Sequence, residues 1–258
     1  MGRIICIANQ KGGVGKTTTA VNLSASLALG QKKTLLIDID PQGNASSGVG
    51  VDKESVGENI YHVIIEDQEL VQVIRETPFS HLYVAPSSID LIGAEIELVN
   101  VPGREARLKE RLTKVAESYD YIIIDCPPSL GLLTVNSLNA AGSVLIPIQC
   151  EYYALEGLSQ LLNTIKRIKR AFNPHLKIEG FLLTMFDKRN KLSHQVACEI
   201  KNYFPEKVLR TVIPRNVRLG ECPSYGKPVF FYDKLSAGAR SYLELAQIIT
   251  NGEKNCYG

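Results

Sequence analysis

The sequence predicts an α/β domain built on a mainly parallel, twisted sheet with helices on both faces. Three observations predict it. Short β-branched runs alternate with longer stretches of helical period, most of the runs are continuously apolar, and a glycine-rich turn joins the first run to the first helix. Continuous apolar runs fit central strands covered on both sides. Their alternation with helices gives right-handed βαβ units and a parallel sheet, which binds ligands outside the carboxyl ends of its strands.

Taken in order, the first strand is expected over residues 3–8 (RIICIA), followed by the glycine turn and a helix over 17–29. Strands follow at 33–38 and 81–85, a helix at 104–117, and strands at 121–125 and 143–148. The stretch 155–172 carries Leu158, Leu161, Leu162, Ile165 and Ile168 at helical spacing. A strand at 177–183 and helices at 193–203 and 236–250 complete the set. No repeat, low-complexity tract or linker interrupts the pattern, so residues 1–258 are expected to form one domain.

Composition narrows the function classes. A chain of 258 residues with 45% hydrophobic and 22% charged residues is ordinary for a globular protein and buries roughly three quarters of its unfolded surface without staples. The longest uncharged run, 126–150, is broken by Pro, Gly, Asn and Ser and is too polar to span a bilayer. The apolar run 4–8 is too short for a signal-peptide core. Met1-Gly2 is followed by Cys6 where a myristoylation signal needs Ser or Thr. A cytoplasmic protein is expected. The cysteines at 6, 126, 150, 198, 222 and 256 form no C-x-x-C pair, so free buried thiols are expected rather than a metal or redox centre.

Charge is uneven. Residues 160–220 hold 13 Lys+Arg against 4 Asp+Glu, a balance of +9, which leaves the remainder of this +2 chain at −7. A basic segment in a near-neutral protein suits either a polyanion-binding face or an unevenly charged solvated face.

The glycine turn carries the chemistry. Lys11, Gly12, Gly13, Val14, Gly15, Lys16, Thr17 and Thr18 stand between the first strand and first helix. The end of the phosphate-loop pattern G-x-x-x-x-G-K-[ST] is present, although Gln10 occupies its first glycine position. Glycines let the backbone turn its amides inward around phosphate oxygens, and the following helix offers its positive end to the same anion. Lys16 is expected on the β- and γ-phosphates and the Thr17 hydroxyl on Mg²⁺. Asp125, ending the run YIIID, can hold Mg²⁺ through water, since Mg²⁺ tends to keep its hydration shell. Asp38 and Asp40, in LLIDIDPQGN, lie two positions apart and so share one strand face if the strand continues. Asp40 also suits a turn before Pro41.

These blocks, with PIQCEYYALEGL, TMFDKRN and VIPRNVRLGECPSYGKP, cover nearly the whole chain in one order. The sequence resembles the ParA/Soj family of deviant Walker A P-loop partition ATPases, whose loop is written K-G-G-x-G-K-[ST] and does not require the missing glycine. The resemblance implies ATP and Mg²⁺ as cofactors and a nucleotide-sandwich homodimer in which Lys11 reaches the partner's phosphates. It implies that Asp40 orients the attacking water, with Asp38 a candidate support near Thr17 and Mg²⁺, and that Met185, Pro214 and Asn216 lie near adenine. It further implies non-specific double-stranded DNA and a ParB/Spo0J-like protein as partners, with association with the nucleoid. Within the basic segment, Arg189 and Arg218 match family arginines that contact DNA, and Lys188, Lys191 and Arg215 lie beside them. No helix-turn-helix or zinc-finger pattern points to base-specific reading. Lys166, Arg167, Lys169 and Arg170 close the helix 155–172, where the helix dipole favours cations without any ligand.

Four other readings stand against this one. A MinD-like regulator should end in a basic amphipathic helix on a membrane, whereas this chain ends LELAQIITNGEKNCYG. An iron–sulfur carrier needs cysteines placed to share a cluster between subunits, and none is marked out for it. A metabolic ligase of the same fold, of the biotin- or cobalamin-pathway kind, would need a small-molecule site. A nucleotide-switched regulator acting through protein contacts needs the same switch and stays open.

Overall fold

A computed structural model describes residues 2–52, 56–151 and 154–252. The apolar runs become strands: β1 (Arg3–Ile7), β2 (Thr34–Asp38), β3 (Arg75–Glu76), β4 (Leu82–Ala85), β5 (Tyr121–Asp125), β6 (Ser143–Gln149), β7 (Lys177–Phe186) and β8 (Val208–Pro214). They form one eight-stranded sheet in the order β3-β4-β2-β5-β1-β6-β7-β8. The pairings are parallel except for β3 against β4. β5 inserts between β1 and β2, and β6 lies on the far side of β1. The connection leaving β1 therefore opens at a point where the chain order reverses, the usual ligand crevice of such sheets.

Successive residues of each central strand serve opposite cores, because side chains alternate along a strand. Cys6, Ile122, Ile124, Val144 and Ile146 pack on one face with Leu133, Leu158, Leu161 and Ile165. Ile5, Ile7, Leu36, Ile123 and Leu145 pack on the other with Leu23, Leu27, Tyr242 and Leu245. That is why these runs read as continuously apolar. Each fully buried Leu or Ile contributes roughly 1.5–3 kcal/mol.

The helix Lys16–Leu29 is buried on nearly every side, with the sheet beneath it and the helix Ala237–Asn251 against it. Its Thr19 and Asn22 side chains are paired within the protein, whereas the buried Ser24 hydroxyl has no partner among the described residues. Asn22 Nδ2 donates to Thr18 O at 2.8 Å, Val229 N donates to Asn22 Oδ1 at 2.7 Å, and the Thr19 and Tyr242 hydroxyls meet at 3.2 Å. Asn173, also buried, turns its Nδ2 to the carbonyls of Leu138, Asn139 and Ala141 and closes the end of the helix Leu132–Ala140.

Each expected strand and helix is present, with no end moved by more than four residues; the expected helix 104–117 shortens to Arg107–Thr113 followed by a 3-10 turn at Ala116–Ser118. Two strands and several helices are additional. β8 escaped notice because Arg210 and Thr211 interrupt its apolar run, as befits an edge strand partly open to solvent. The helix Leu132–Ala140 escaped because Thr134, Val135, Asn136 and Asn139 are poor helix formers. Tertiary burial overrides that propensity here. Cys6, Cys126, Cys150 and Cys222 are free and buried as expected, whereas Cys198 is exposed; Cys256 lies outside the described residues. The correction has a simple cause: Cys198 falls between the buried positions Ala197 and Ile200 of an amphipathic helix and faces outward.

Candidate functional site

The loop after β1 takes the conformation its glycines permit. Gly13 and Gly15 have φ of +73° and +88°, a region side chains disfavour. A Cβ on Gly12 or Gly13 would meet nothing within 4 Å, so their surface is open to a ligand. Gly15 is the N-cap of the helix Lys16–Leu29 and supplies no capping side chain. The helix therefore presents unsatisfied amides at its positive end, the arrangement that holds phosphate. Lys16 is buried and lies over the loop, its Nζ donating to Lys11 O at 3.1 Å. Burial pulls its pKa down, while Asp125, Cys126 and Asp40 pull it back up.

Across the cleft, Asp38 and Asp125 end β2 and β5 as register partners. Both are fully buried. Asp125 has no hydrogen-bond partner at either carboxylate oxygen; burial and then the Asp38 charge push its pKa well up, with Thr17 pulling the other way. Asp38 is raised to about 6 by burial, although Ser46 and Asp40 oppose this with hydrogen bonds. Its Oδ2 accepts from Ser46 N and Ser46 Oγ, both at 2.7 Å, and its Oδ1 accepts from Asp40 N at 3.2 Å. Asp38 thus ties down the loop that carries Asp40, and Asp125 is the carboxylate left without donors. Two buried carboxylates side by side, one of them without hydrogen-bond donors, fit a hydrated divalent cation beside Thr17 and Asp125. Among the described residues no group of three or more His, Cys, Asp or Glu could hold a metal.

Asp40 is buried and held on two sides: Gln42 N donates to its Oδ1 at 3.0 Å, and Ser87 Oγ donates to its carbonyl. It lines one cleft with Gly12, Gly13, Gly15, Lys16, Thr17, Thr18, Pro128 and Met185. A neighbouring pocket joins Gly15 and Thr18 to Met185, Pro214 and Asn216. Met185 stands there at φ +49°, a left-handed backbone rare for its type. Gly12, Gly13, Gly15, Lys16, Thr17, Thr18, Asp40, Met185, Pro214 and Asn216 thus line adjoining clefts, whereas Asp38 and Asp125 are fully buried and, like Lys11 and Val14, line neither.

Lys11 does not reach into this cleft. Its Nζ pairs with Glu151 Oε2 at 2.8 Å.

The basic residues fall in two groups. β7 and β8 pair in parallel, with Phe186 opposite Pro214, so the loop holding Lys188 and Arg189 lies beside the one holding Arg215 and Arg218. Arg215 N donates to Phe186 O at 3.4 Å across that seam. All four, and Lys191, are exposed. Arg189 pairs with Asp187 at 3.2 Å, and Arg218 with Glu221 at 2.9 Å and Asp233 at 3.2 Å. Lys166, Arg167, Lys169 and Arg170 are also exposed. They end the helix Ala154–Ala171, which returns from the carboxyl end of β6 to the start of β7, so they lie toward the amino ends of the strands.

Several site residues went unread in the sequence. Asn9 links the loop to β6, its Nδ2 donating to Pro147 O at 2.7 Å and its Oδ1 accepting from Lys11 N at 3.0 Å. Thr184 Oγ1 donates to Val14 O at 2.8 Å, and Tyr242 reaches the pocket of Met185, Pro214 and Asn216 from the helix Ala237–Asn251. Asn9 adjoins the glycine loop and Thr184 begins the TMFDKRN block, whereas nothing local marks Tyr242.

A family model described as an AAA domain matches residues 2–178. A chromosome partitioning protein ParA of Myxococcus xanthus is 57% identical over 96% of this chain and 87% of its own. A sporulation initiation inhibitor protein Soj of Bacillus subtilis is 58% identical over 98% of this chain and 100% of its own. Among solved structures, a cobyrinic acid a,c-diamide synthase from Mycobacterium smegmatis with bound ADP and magnesium aligns with a TM-score of 0.87 at 36% identity, over 100% of this chain and 99% of its own. The Pyrococcus furiosus cell division ATPase MinD gives 0.82 at 27%, over 98% and 100%.

Sheet order, glycine loop and buried acid pair define a P-loop ATPase with ATP and Mg²⁺ as its cofactors. Within that class the chain belongs to the ParA/Soj family of chromosome-partitioning ATPases. Among the described residues no helix is long and apolar enough to cross a membrane.

Proposed function

We propose that the chain is a nucleotide-switched partition ATPase of the cytoplasm and nucleoid. The amides of residues 12–18 and Lys16 hold the phosphates of ATP. Thr17 and, through water, Asp125 hold Mg²⁺, which when bound neutralises charge on the phosphates. Met185, Pro214 and Asn216 border the adenine. Asp40 orients the attacking water, and two chains close face to face so that Lys11 of each reaches the other's phosphates. Positioning and charge stabilisation are what phosphoryl transfer chiefly requires. The closed dimer binds double-stranded DNA without sequence preference through Lys188, Arg189, Arg215 and Arg218, and a ParB/Spo0J-like protein accelerates the slow hydrolysis that releases it.

The observation that carries this reading is the β7–β8 seam. Residues beside the base pocket and residues of the basic face occupy the same two loops, joined by the Arg215 N to Phe186 O bond. Nucleotide occupancy is therefore well placed to alter the basic face. The test is DNA binding with ATP, ADP or no nucleotide across a salt series. Binding that requires ATP and falls steeply with salt supports the reading, since phosphate contacts release counterions. Equal binding in all three states contradicts it.

A second reading, a regulator acting through protein contacts, is favoured by the name of the Bacillus relative, a sporulation initiation inhibitor. Deleting the gene and counting DNA-free cells separates the two, because normal segregation contradicts the partition role. The synthase-like structure shares the fold at 36% identity, well below the 57% and 58% of the partition relatives.

A further inference from the structure

We propose that Glu151 is a positioning residue for Lys11, holding it within its own chain and thereby setting how readily two chains close over ATP. This rests on the reading of Lys11 as the lysine that acts on the partner's phosphates.

The contact is built from both sides. Glu151 follows β6, with its amide donating to Gln149 O at 2.8 Å and its Oε1 accepting from Gln149 Nε2. Its other oxygen, Oε2, takes the Lys11 ammonium at 2.8 Å. On the loop side, Asn9 accepts from the Lys11 backbone amide and donates to Pro147 of β6. Asn9 is buried, so the spacing between the loop and the end of β6 is fixed by an internal bond rather than by the ion pair itself. Lys11 and Glu151 are thus presented to each other by structure that exists without them.

An ammonium seated on this carboxylate cannot at the same moment reach across to a phosphate of another chain. Closure of the dimer must exchange one anion for the other. The side chains are 38% and 47% exposed, so water screens the pair and its hold is modest, a few-fold in an equilibrium constant. A latch of that strength biases the monomer without trapping it.

The test uses the full chain and three variants, Glu151→Gln, Glu151→Asp and Lys11→Ala, with turnover followed against protein concentration and dimer measured by light scattering with ATP and Mg²⁺. Glu151→Gln is expected to lower the protein concentration for half-maximal turnover by about two- to fivefold, with no change in the plateau rate per dimer. Glu151→Asp, which keeps the charge, should return toward the wild-type midpoint. A purely structural role for Glu151 would alter thermal stability or the plateau instead. If Lys11→Ala still dimerises and hydrolyses ATP, the reading of Lys11 in trans fails and the latch fails with it. If Lys11→Ala is inactive but Glu151→Gln leaves the midpoint unmoved or raises it, the latch alone is overturned.

Discussion

Asp38 and Asp125 face each other as register partners at the carboxyl ends of β2 and β5, both fully buried. Only Asp38 is supplied with hydrogen-bond donors. The fold has therefore set two buried carboxylates side by side, with Lys16 as a neighbouring cation, an arrangement costly to the empty chain and suited to a further cation.

Asp125→Asn should make this cost visible. Removing the charge is expected to stabilise the nucleotide-free chain by about 1 kcal/mol, or roughly 2–4 °C in Tm. The further rise in Tm that Mg²⁺ and ATP give the wild type should be lost. Thermal melts with and without Mg²⁺ and ATP check both halves.

The pH dependence follows from the same pair. Asp38 is raised to about 6 and Asp125 is raised as well. A carboxylate with a raised folded pKa binds its proton more tightly folded than unfolded. Its contribution to stability is full below the ordinary carboxylate value and is lost as pH rises through the folded value, here about 6 for Asp38. Cation binding needs the ionised form, so Mg²⁺ in the presence of ATP should bind more weakly as pH falls through 6 and should release protons on binding. Calorimetry at pH 6 in two buffers of different ionisation enthalpy measures that release directly. Equal observed heats in the two buffers, once the proton release of Mg²⁺ and ATP without protein is subtracted, would contradict it.

Gly15→Ala tests the phosphate loop. A Cβ there would lie 3.8 Å from Thr184 Cγ2, an ordinary contact, so the penalty comes from φ of +88° rather than from crowding. The expected cost is about 1–2 kcal/mol, together with loss of ATP binding in a chain that remains folded, measured by circular dichroism and nucleotide titration.

Asn173→Ala tests the scaffold. One buried amide serves three carbonyls at the end of the helix Leu132–Ala140. Truncation strands them and is expected to cost about 2–3 kcal/mol, read by urea unfolding, with ATP affinity of the folded fraction unaltered.

How much of this was legible depended on whether the cause was local. The positive φ of Gly13 and Gly15 follows from three glycines before a Lys-Thr pair, all within a few residues. The central strands were legible because burial on both faces writes itself as a continuous apolar run. β8 was not, since Arg210 and Thr211 on an edge strand break the run. Opposition of Asp38 to Asp125 is a fact of strand order, which the sequence leaves open until β5 is placed beside β2. The Lys11–Glu151 and Thr19–Tyr242 contacts join residues 140 and 223 positions apart and leave no mark on either segment. Among the basic residues, exposure separated little. Position did: Arg189 and Arg218 flank the carboxyl end of the β7–β8 seam, while Lys169 and Arg170 lie toward the amino ends of the strands.

The central claim is that ATP governs DNA binding through that seam. The most direct measurement compares the wild type with an Arg189→Glu/Arg218→Glu double variant, following dimerisation and binding to mixed-sequence duplex DNA with ATP, with ADP and without nucleotide. The account predicts that both proteins dimerise with ATP and only the wild type then binds DNA. A double variant that binds as tightly as the wild type, or a wild type that binds under no nucleotide, would contradict it.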